Sequence, residues 1–395
     1  MPRVAFYFTH YQCLGHTTRV LSLVAALKAQ KRHVTCDCFW GSLEQPYLDL
    51  KAFENIHVLP YPLFSRDNFR SGSIRPAGAV QARAAFLLKA LQKKTPDIFI
   101  TEYFPIGRRD CYEELLPSLM YLARQGVPVY ASAGYPVLDG QDMAWRTRVL
   151  PLFKRIFIHS PEQEMRQMAQ TYPPGPARDA YRAFFKDHAD KICFTGYVVP
   201  KPLVFKETEK EARQFIKGVV KVLVTRGAGA YHQDVFLNAI RAGDILGRNF
   251  VLTAVAGPTT TDAEWQLFNK AVVAGRVKNV QLIRSTPRFE ELLKKADVCV
   301  SPAPYNTSVM LLKHGKRAVI IPMQGEGRVV LSEQPMRARM LKAVLGSVVL
   351  LPAEAAPEKI AQAVKKALKA PLNNSVVPQT WLRGNGVFAH EVFGL

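Results

Sequence analysis

The sequence predicts an α/β protein with two domains, each built on a parallel sheet. At 395 residues the chain is too long for one ordinary hydrophobic core and long enough for two. Apolar runs alternate with helical patterns in both halves, and the runs are nearly continuous, as in parallel strands covered on both faces. Each half opens with a glycine-bearing turn after a strand, at 8–19 and at 224–230. Such turns present a helix N-terminus to an anion, and they indicate two Rossmann-like domains facing a shared cleft.

The elements of the first half follow from these patterns in order. Strands are predicted at Val4–Phe8, His33–Phe39, Ile56–Pro60, Ile98–Thr101, Val127–Ala131, Arg155–His159 and Lys191–Phe194. Helices are predicted at Thr17–Gln30, Ala77–Lys94, Tyr112–Gln125 and Glu162–Gln170. The first of these helices has an apolar face made by Val20, Leu23, Val24 and Leu27. The polar segment 65–78 predicts a long loop.

A domain boundary is predicted near Pro200-Lys201-Pro202, because two prolines stiffen a linker. Strands then follow at Val222–Thr225, Phe250–Ala256, Val280–Ile283, Val298–Ser301, Ala318–Ile321 and Val348–Leu351. Helices are predicted at Gln233–Arg241, Asp262–Ala274, Phe289–Ala296, Ser308–Lys313, Gln334–Leu345 and Pro357–Ala370. We assign 1–200 to an N-terminal domain and 201–372 to a C-terminal domain. Residues 373–395 form a tail that we expect to pack back on the first domain.

The composition favours an anionic partner. Lys and Arg number 53 against 32 Asp and Glu, a net charge of +21. Such an excess suits nucleotide phosphates, anionic lipid or nucleic acid, with a generic basic surface as the alternative. No recognisable RNA- or DNA-binding motif is present, so nucleic acid is the least favoured partner. The candidates for contact with an anionic membrane are Arg66, Arg70, Arg75 and Arg83, near Phe64, Phe69 and Phe86-Leu87-Leu88. A solvated basic loop beside a core helix would explain the same residues.

The cysteines and the apolar runs bear on location. No run approaches the roughly 18 apolar residues of a membrane span. The first apolar run is too short for a signal peptide. Cys36 and Cys38 are expected on one face of a strand, and they suit either reduced thiols or a redox or metal pair. These features predict a cytoplasmic protein, peripheral at most at the inner face of the membrane.

Two turns of the second half are candidate diphosphate sites. One follows the strand ending at Ser301, where a short helix begins near Thr307 and Asn306, Thr307 and Ser308 offer amides and polar side chains. Ordinary helix capping by these side chains is the alternative. The other turn carries Arg226, Gly227 and Gly229.

The order of motifs resembles the glycosyltransferases of GT-B family 28, in particular those akin to the lipid-linked peptidoglycan N-acetylglucosaminyltransferase. In the second half the resemblance is carried by Tyr305-Asn306-Thr307, Gly315-Lys316, Ala318, Pro322, Glu333-Gln334 and Arg337-Ala338. In the first half it is carried by Leu14-Gly15-His16 with Arg19, Glu102 to Arg109, Glu114 to Pro117 and Phe194 to Val198. The chain departs from the family pattern at Cys13, Pro304 and Met310. The departure at Met310 removes a carboxylate that usually bonds the donor ribose.

The resemblance implies a GT-B fold and transfer of a sugar from a nucleotide diphosphate sugar to an acceptor hydroxyl, with inversion and without metal or cofactor. The acceptor would be lipid-linked or anionic. The implied donor-binding residues are Arg226, Gly227, Gly229, Ile283, Asn306, Thr307, Ser308, Glu333 and Gln334. The implied acceptor-side residues are Gly15, Arg19, Arg108 and Arg109.

Three residues are candidates for the catalytic base. His16 lies in the first-domain turn and has a side chain that titrates near neutral pH. His10 and Glu102 are the competitors, the latter at the end of a strand. Two other functions remain open: a nucleotide-sugar epimerase on the same fold, or a non-catalytic protein that binds anions or nucleic acid.

Overall fold

The structure is a computed structural model, and it describes residues 1–9, 15–31, 33–41, 50–61, 77–135, 144–171, 175–201, 219–227, 233–274, 279–323, 333–371 and 377–395. Two parallel sheets organise this part of the chain, one of seven strands and one of six. Their separate positions in the chain, and the helices between the strands, confirm the predicted α/β class.

The first sheet has the strand order β3-β2-β1-β4-β5-β6-β7, with every neighbouring pair parallel. Its strands are β1 (Arg3–Phe8), β2 (Thr35–Trp40), β3 (Asn55–Val58), β4 (Ile98–Glu102), β5 (Val129–Ala133), β6 (Arg155–Ile158) and β7 (Ile192–Phe194). Its helices are α1 (Gly15–Gln30), α2 (Ala79–Lys93), α3 (Tyr112–Arg124), α4 (Ala144–Val149), α5 (Glu162–Thr171) and α6 (Pro176–Asp187). The central strands are buried along their whole length, because helices cover both faces.

The second sheet has the order β10-β9-β8-β11-β12-β13 and is also parallel throughout. Its strands are β8 (Val220–Thr225), β9 (Phe250–Val255), β10 (Val280–Ile283), β11 (Val298–Ser301), β12 (Ala318–Ile320) and β13 (Val348–Val349). Its helices are α7 (Gln233–Leu246), α8 (Asp262–Ala274), α9 (Phe289–Lys295), α10 (Tyr305–Lys313), α11 (Glu333–Leu345) and α12 (Pro357–Lys369). A last helix, α13 (Gly384–Phe393), ends the chain.

In each sheet the strand order reverses direction once, and this point sets where a ligand can bind. The first sheet reverses between β1 and β4, and the second between β8 and β11. In open α/β sheets a crevice forms there, beyond the carboxyl ends of the two strands. The turns that the sequence singled out follow β1, β8 and β11, so they lie at these two crevices.

The predicted apolar face of α1 is confirmed. All four residues, Val20, Leu23, Val24 and Leu27, are fully buried in a core cluster that also contains side chains of β1. Phe388, Ala389 and Val392 of α13 belong to the same cluster. Helix α13 therefore packs against α1, on the first sheet rather than on the second.

The segment after β7, at Gly196 and Tyr197, is hydrogen-bonded to the segment that leads into α13, at Gly384. The backbone N–H of Gly384 donates to the carbonyl of Tyr197 at 3.1 Å. Gly196 has a φ of 77°, and a Cβ there would lie 2.8 Å from the carbonyl oxygen of Thr380. Only glycine fits this contact without displacing the tail.

The structure corrects several predicted elements. Helix α10 begins at Tyr305 and not at Thr307 or Ser308. Helices α4, α6 and α13 were not predicted; α6 begins at Pro176, and proline is favoured at the first position of a helix.

Arg83 does not have the predicted membrane-facing position. Its side chain is fully buried, and its Nε donates to Glu114 Oε2 at 2.7 Å. Tyr7 donates to the same carboxylate at 2.7 Å, and a further nitrogen of Arg83 donates to the carbonyl of Tyr61 at 3.1 Å. A buried paired guanidinium holds neighbouring loops and cannot meet a lipid headgroup. Leu87 is buried as well. The companion candidates Phe64, Arg66, Phe69, Arg70 and Arg75 lie outside the described residues. Among those described, no helix is both long and apolar enough to span a membrane.

Candidate active site

His16 and Glu102 meet at the crevice of the first sheet. His16 is the second residue of α1, and Glu102 is the last residue of β4. The Nδ1 of His16 lies 3.2 Å from Glu102 Oε1. An ionised carboxylate only accepts hydrogen bonds, so this contact requires the proton on Nδ1; the longer contact of 3.4 Å between Arg19 and the same nitrogen is then not a hydrogen bond, because a guanidinium only donates. The Nε2 atom is then the basic nitrogen of the ring.

Both carboxylate oxygens of Glu102 accept hydrogen bonds. Arg19 donates its Nε to Oε1 at 3.0 Å, and a second guanidinium nitrogen of Arg19 bonds the same oxygen. Ser132 donates its hydroxyl to Oε2 at 2.7 Å. Burial alone would raise the pKa of Glu102, but the charge of Arg19 and the hydrogen bonds from His16 and Arg19 lower it to about 2. Glu102 is therefore an ionised, immobile carboxylate at neutral pH.

A buried chain of hydrogen bonds continues behind Glu102. The Nε2 of His159 lies 3.0 Å from Ser132 Oγ, and its Nδ1 lies 2.9 Å from Thr195 Oγ1. Because Ser132 gives its proton to Glu102, His159 donates from Nε2 and accepts at Nδ1. Burial, with the charge of Arg19, lowers the pKa of His159 to about 3. This histidine is a neutral member of the chain at any physiological pH.

His16 is neutral at pH 7. Burial lowers the pKa of His16, and the hydrogen bond to Glu102 opposes that shift. The side chain keeps 17% of its surface exposed, whereas that of Glu102 keeps 2%. Its ring also meets the edge of Tyr103, with the centroids 4.8 Å apart. An unprotonated, oriented and partly accessible imidazole is suited to take a proton.

The two predicted turns of the second half come together at the other crevice. A Cβ added to Gly227, after β8, would lie 3.5 Å from Cγ of Pro304, before α10. The N-cap of α10 is Pro304, and no side chain caps the helix. The predicted alternative, in which Asn306, Thr307 or Ser308 is an ordinary cap, is therefore wrong.

The first turn of α10 contains polar atoms that lack partners. Among the described residues, Asn306 Oδ1 and Ser308 Oγ are buried with no hydrogen bond, and Thr307 is buried beside them. The first amides of a helix carry partial positive charge. This turn therefore combines helix-end N–H groups with the unsatisfied hydroxyl of Ser308, and these donors suit an anion with several oxygens, whereas Asn306 Oδ1 can only accept a hydrogen bond.

Arg226 lines a small pocket at the ends of β8 and β11, and its charge is paired. Its guanidinium is buried, donates to Glu264 Oε1 at 2.7 Å, and lies 5.4 Å from the ring centre of Phe268. This charge is matched within the second half of the chain. Gly229, and the competing base His10, lie outside the described residues.

The predicted pair Glu333 and Gln334 begins α11, near the cleft. Glu333 lies 3.4 Å from Arg337, and its Oε2 is buried with no hydrogen bond in the described part of the chain. Burial raises the pKa of Glu333, and the charges of Arg337 and Arg19 oppose that shift. Gln334 accepts the backbone N–H of Met323 at 3.0 Å. Ile283 ends β10, the edge strand of the second sheet, and is half-buried.

The remaining acceptor-side candidates are Gly15, Arg108 and Arg109. Gly15 is the first residue of α1. Arg108 has a φ of 58°, bonds Thr9 Oγ1, and lies 3.4 Å from Asp110. Arg109 is exposed and lines an open cavity of 620 Å³ together with Asp110, Tyr112, Glu113 and Trp145. Arg108 is thus fixed by local partners, whereas Arg109 faces a space that a ligand can enter.

Cys36 and Cys38 form no second site with the other described residues. Cys36 and Cys38 lie on one face of β2, as predicted, and both are buried free thiols. Burial raises the pKa of the Cys36 thiol to about 12, so it is an unreactive core group. Within the described ranges, no group of three or more His, Cys, Asp or Glu side chains is arranged to hold a metal ion.

Sequence reasoning missed Ser132, His159, Tyr103 and the contacts of Tyr305. A usable signal was present for two of them. Ser132 stands near the end of β5, and His159 follows β6 directly. Polar residues at the carboxyl ends of neighbouring parallel strands meet at one edge of a sheet.

Comparison with known proteins identifies part of the chain. Residues 246–380 match the model of the Glycosyltransferase family 28 C-terminal domain. A search of curated proteins gives no match. The predicted resemblance to family 28 is confirmed by the domain match, and so is the predicted class of enzyme, a glycosyltransferase.

Solved structures align along the whole chain at low identity. The calicheamicin glycosyltransferase CalG4 has a TM-score of 0.63 at 14% identity, over 100% of this chain and 97% of that one. MurG from Acinetobacter baumannii has a TM-score of 0.57 at 11% identity, over 100% of both chains. A candidate UDP-N-acetylglucosamine 2-epimerase from Listeria monocytogenes has a TM-score of 0.60 at 11% identity, over 99% of this chain and 94% of that one. At these identities the likeness establishes the fold, and the GT-B prediction is confirmed.

Proposed function

Since the second half of the chain carries a glycosyltransferase family 28 C-terminal domain and the whole chain has the GT-B fold, we propose that it transfers a sugar from a nucleotide diphosphate sugar to an acceptor hydroxyl. One observation carries the proposal. An oriented, neutral His16 stands at one crevice, and the unsatisfied helix end of α10 stands at the other. A base and an anion site are the two groups that this transfer requires.

The donor diphosphate binds at the first turn of α10 in this proposal. The backbone N–H groups of that turn and the hydroxyl of Ser308 donate to its oxygens, with Thr307 beside them, and Asn306 Oδ1 accepts from a hydroxyl of the donor. The Gly227 turn borders the same space. Glu333, whose Oε2 has no hydrogen bond among the described residues, is placed to accept a sugar hydroxyl. Preorganised donors of this kind stabilise developing negative charge by roughly 3–4 kcal/mol each in known oxyanion sites. We therefore propose that the leaving diphosphate needs no metal ion.

His16 is the base in the proposed transfer. Its Nε2 takes the proton of the acceptor hydroxyl while the acceptor oxygen bonds the anomeric carbon. The bond from that carbon to the phosphate oxygen breaks, and the nucleoside diphosphate leaves with the electron pair. Attack from the face opposite the leaving group inverts the anomeric centre.

Glu102 supports His16 in this proposal and is not itself the base. Both of its oxygens accept hydrogen bonds, and its pKa of about 2 makes it a weak proton acceptor. It fixes the tautomer of His16 and stabilises the imidazolium that forms. We propose that the acceptor enters by the cavity that Arg109 lines with Asp110 and Glu113, and a lipid-linked or anionic acceptor stays what the resemblance implies.

An epimerase is the second candidate, because the Listeria monocytogenes protein shares the fold. The two functions differ in what releases the nucleotide. A transferase releases nucleoside diphosphate in proportion to the acceptor supplied. An epimerase acts on its nucleotide sugar with no acceptor present.

Calorimetric titration with UDP, GDP and dTDP tests the donor site. We expect at least one to bind, and Ser308→Ala to lower that affinity by about 10- to 100-fold, as for loss of a hydrogen bond to a charged group. The free energy of unfolding should hardly change, because Ser308 Oγ makes no hydrogen bond within the described chain.

Ser347→Ala is the matched control. Ser347 also has a buried hydroxyl without a partner among the described residues, but it precedes β13, an edge strand, whereas the donor turn follows the central strand β11. Its variant should bind nucleotide like the parent. Absence of binding by all three nucleotides to the parent protein would refute the donor site.

A further inference from the structure

Tyr305 belongs to the donor turn, yet its side chain contacts the other half of the chain. It is the first residue of α10, beside the proposed diphosphate site. Its hydroxyl donates to the carbonyl of His159 at 2.6 Å and accepts the backbone N–H of Val198 at 2.9 Å. The side chain is buried, with 7% of its surface exposed.

The ring of Tyr305 packs against Arg19, which is one of the side chains that donate a hydrogen bond to Glu102. The guanidinium carbon of Arg19 lies 5.0 Å from the centre of this ring and 5.3 Å from that of Tyr103. The packing is close: a Cβ on Gly134 would lie 2.9 Å from a guanidinium nitrogen of Arg19 and 3.1 Å from the Tyr305 ring. Arg19 in turn bonds Glu102 Oε1, the oxygen that meets His16.

The hydroxyl of Tyr305 is connected through His159 to Ser132, which donates a hydrogen bond to the other oxygen of Glu102. It fixes the backbone of His159, whose imidazole bonds Ser132. Ser132 donates to Glu102 Oε2. Two routes therefore start at one tyrosine and end on the two oxygens of the same carboxylate.

We propose that Tyr305 is a positioning residue that couples occupancy of the donor turn to the orientation of His16. The inference rests on the proposed function, because it takes the first turn of α10 as the diphosphate site. A diphosphate bonded to the amides of α10 acts on the backbone of Tyr305 itself. The ring and hydroxyl transmit any displacement to Arg19 and His159, and thus to the carboxylate that holds His16. His16 is then oriented for proton transfer when the donor is bound.

Nuclear magnetic resonance of histidine labelled at Cε1 with carbon-13 tests the coupling directly. The chain has nine histidines, and His16→Gln assigns the His16 signal. Saturating UDP, or whichever of GDP and dTDP binds, should move this signal in the parent protein. In Tyr305→Leu the movement should fall at least about fivefold while nucleotide affinity stays within about threefold, because the diphosphate ligands are intact.

Two further variants separate the routes. Tyr305→Phe keeps the ring against Arg19 and loses only the hydroxyl bonds, so it should retain part of the movement. Ser132→Ala removes the hydroxyl that links His159 to Glu102 and leaves Tyr305 unchanged. Its control is Ser118→Ala, which removes a buried hydroxyl without a partner among the described residues. The response should fall in Ser132→Ala and stay parental in Ser118→Ala. If Tyr305→Leu does not fold, this pair and Tyr305→Phe decide the question.

Failure of the coupling is distinguishable from failure of the proposed function. If nucleotide binds and moves the His16 signal equally in the parent protein, Tyr305→Leu and Ser132→Ala, the coupling is wrong and the donor site stands. If no nucleotide binds the parent, the donor site is wrong and the coupling, which rests on it, falls with it.

Discussion

At the scale of single residues, the site depends on the charge of Glu102. Glu102→Gln should lower the free energy of unfolding at pH 7 by about 3–5 kcal/mol, because it leaves the buried guanidinium of Arg19 without its counter-charge. Denaturant unfolding of both proteins at several pH values measures the difference.

The pH dependence of that difference follows from the pKa of Glu102. The folded-state pKa, about 2, is below the ordinary value of 4.5, so the stabilisation is complete above about pH 4.5. It is lost as the pH falls through 2. The difference in the free energy of unfolding between the parent protein and Glu102→Gln should therefore decrease from pH 4.5 downward. A gap that is small at pH 7, or one that does not change with pH, would contradict the ion pair.

Single residues also show where sequence reasoning succeeded and where it could not. His16 and Glu102 were found separately, from a turn after one strand and from the end of another. Their contact was not visible, because it depends on β1 and β4 being neighbours. Arg226 was placed in the donor site because it follows a strand. Its partner, Glu264, lies on a helix 38 positions later, and nothing local in the sequence indicates that pair.

At the scale of elements, α13 is the clearest case of tertiary packing. Phe388 is fully buried, with its ring centre 5.0 Å from that of Phe157 on β6. Phe388→Ala should lower the free energy of unfolding by about 3–5 kcal/mol, the usual cost of a phenylalanine-sized cavity. Phe393→Ala on the same helix is the control, and it should cost less because that ring is only half-buried. Equal effects in denaturant unfolding would show that α13 is not held by the core of the first sheet.

The elements themselves were largely predictable. The strands are continuous apolar runs, and all those predicted are present, some with shifted ends. Helix α13 was missed because its sequence, Gly384 to Phe393, contains two glycines and no regular polar face. It is helical because its apolar residues pack on α1, which is a tertiary effect that local propensity does not contain.

At the scale of the whole molecule, two sheets bring their crevices to one cleft. Two Rossmann-like units were predicted from the strand-to-helix turns, and the GT-B fold was implied by the resemblance of the motif order to family 28. The contacts across the cleft were not predicted, since Arg19 and Tyr305 are 286 positions apart and each resembles an ordinary motif residue alone. The domain limits at 200 and 372 and the cytoplasmic, peripheral location stay predictions.

The central claim is that His16 is the base of a transfer from a nucleotide sugar. The most direct test is turnover of His16→Ala with a donor and acceptor found by screening nucleotide sugars, with His33→Ala, an exposed histidine, as the control. We expect kcat to fall by about 10²–10⁴ in His16→Ala, as for loss of a general base, with nucleotide affinity unchanged and His33→Ala like the parent. A folded His16→Ala protein that keeps near-parental turnover would contradict the account.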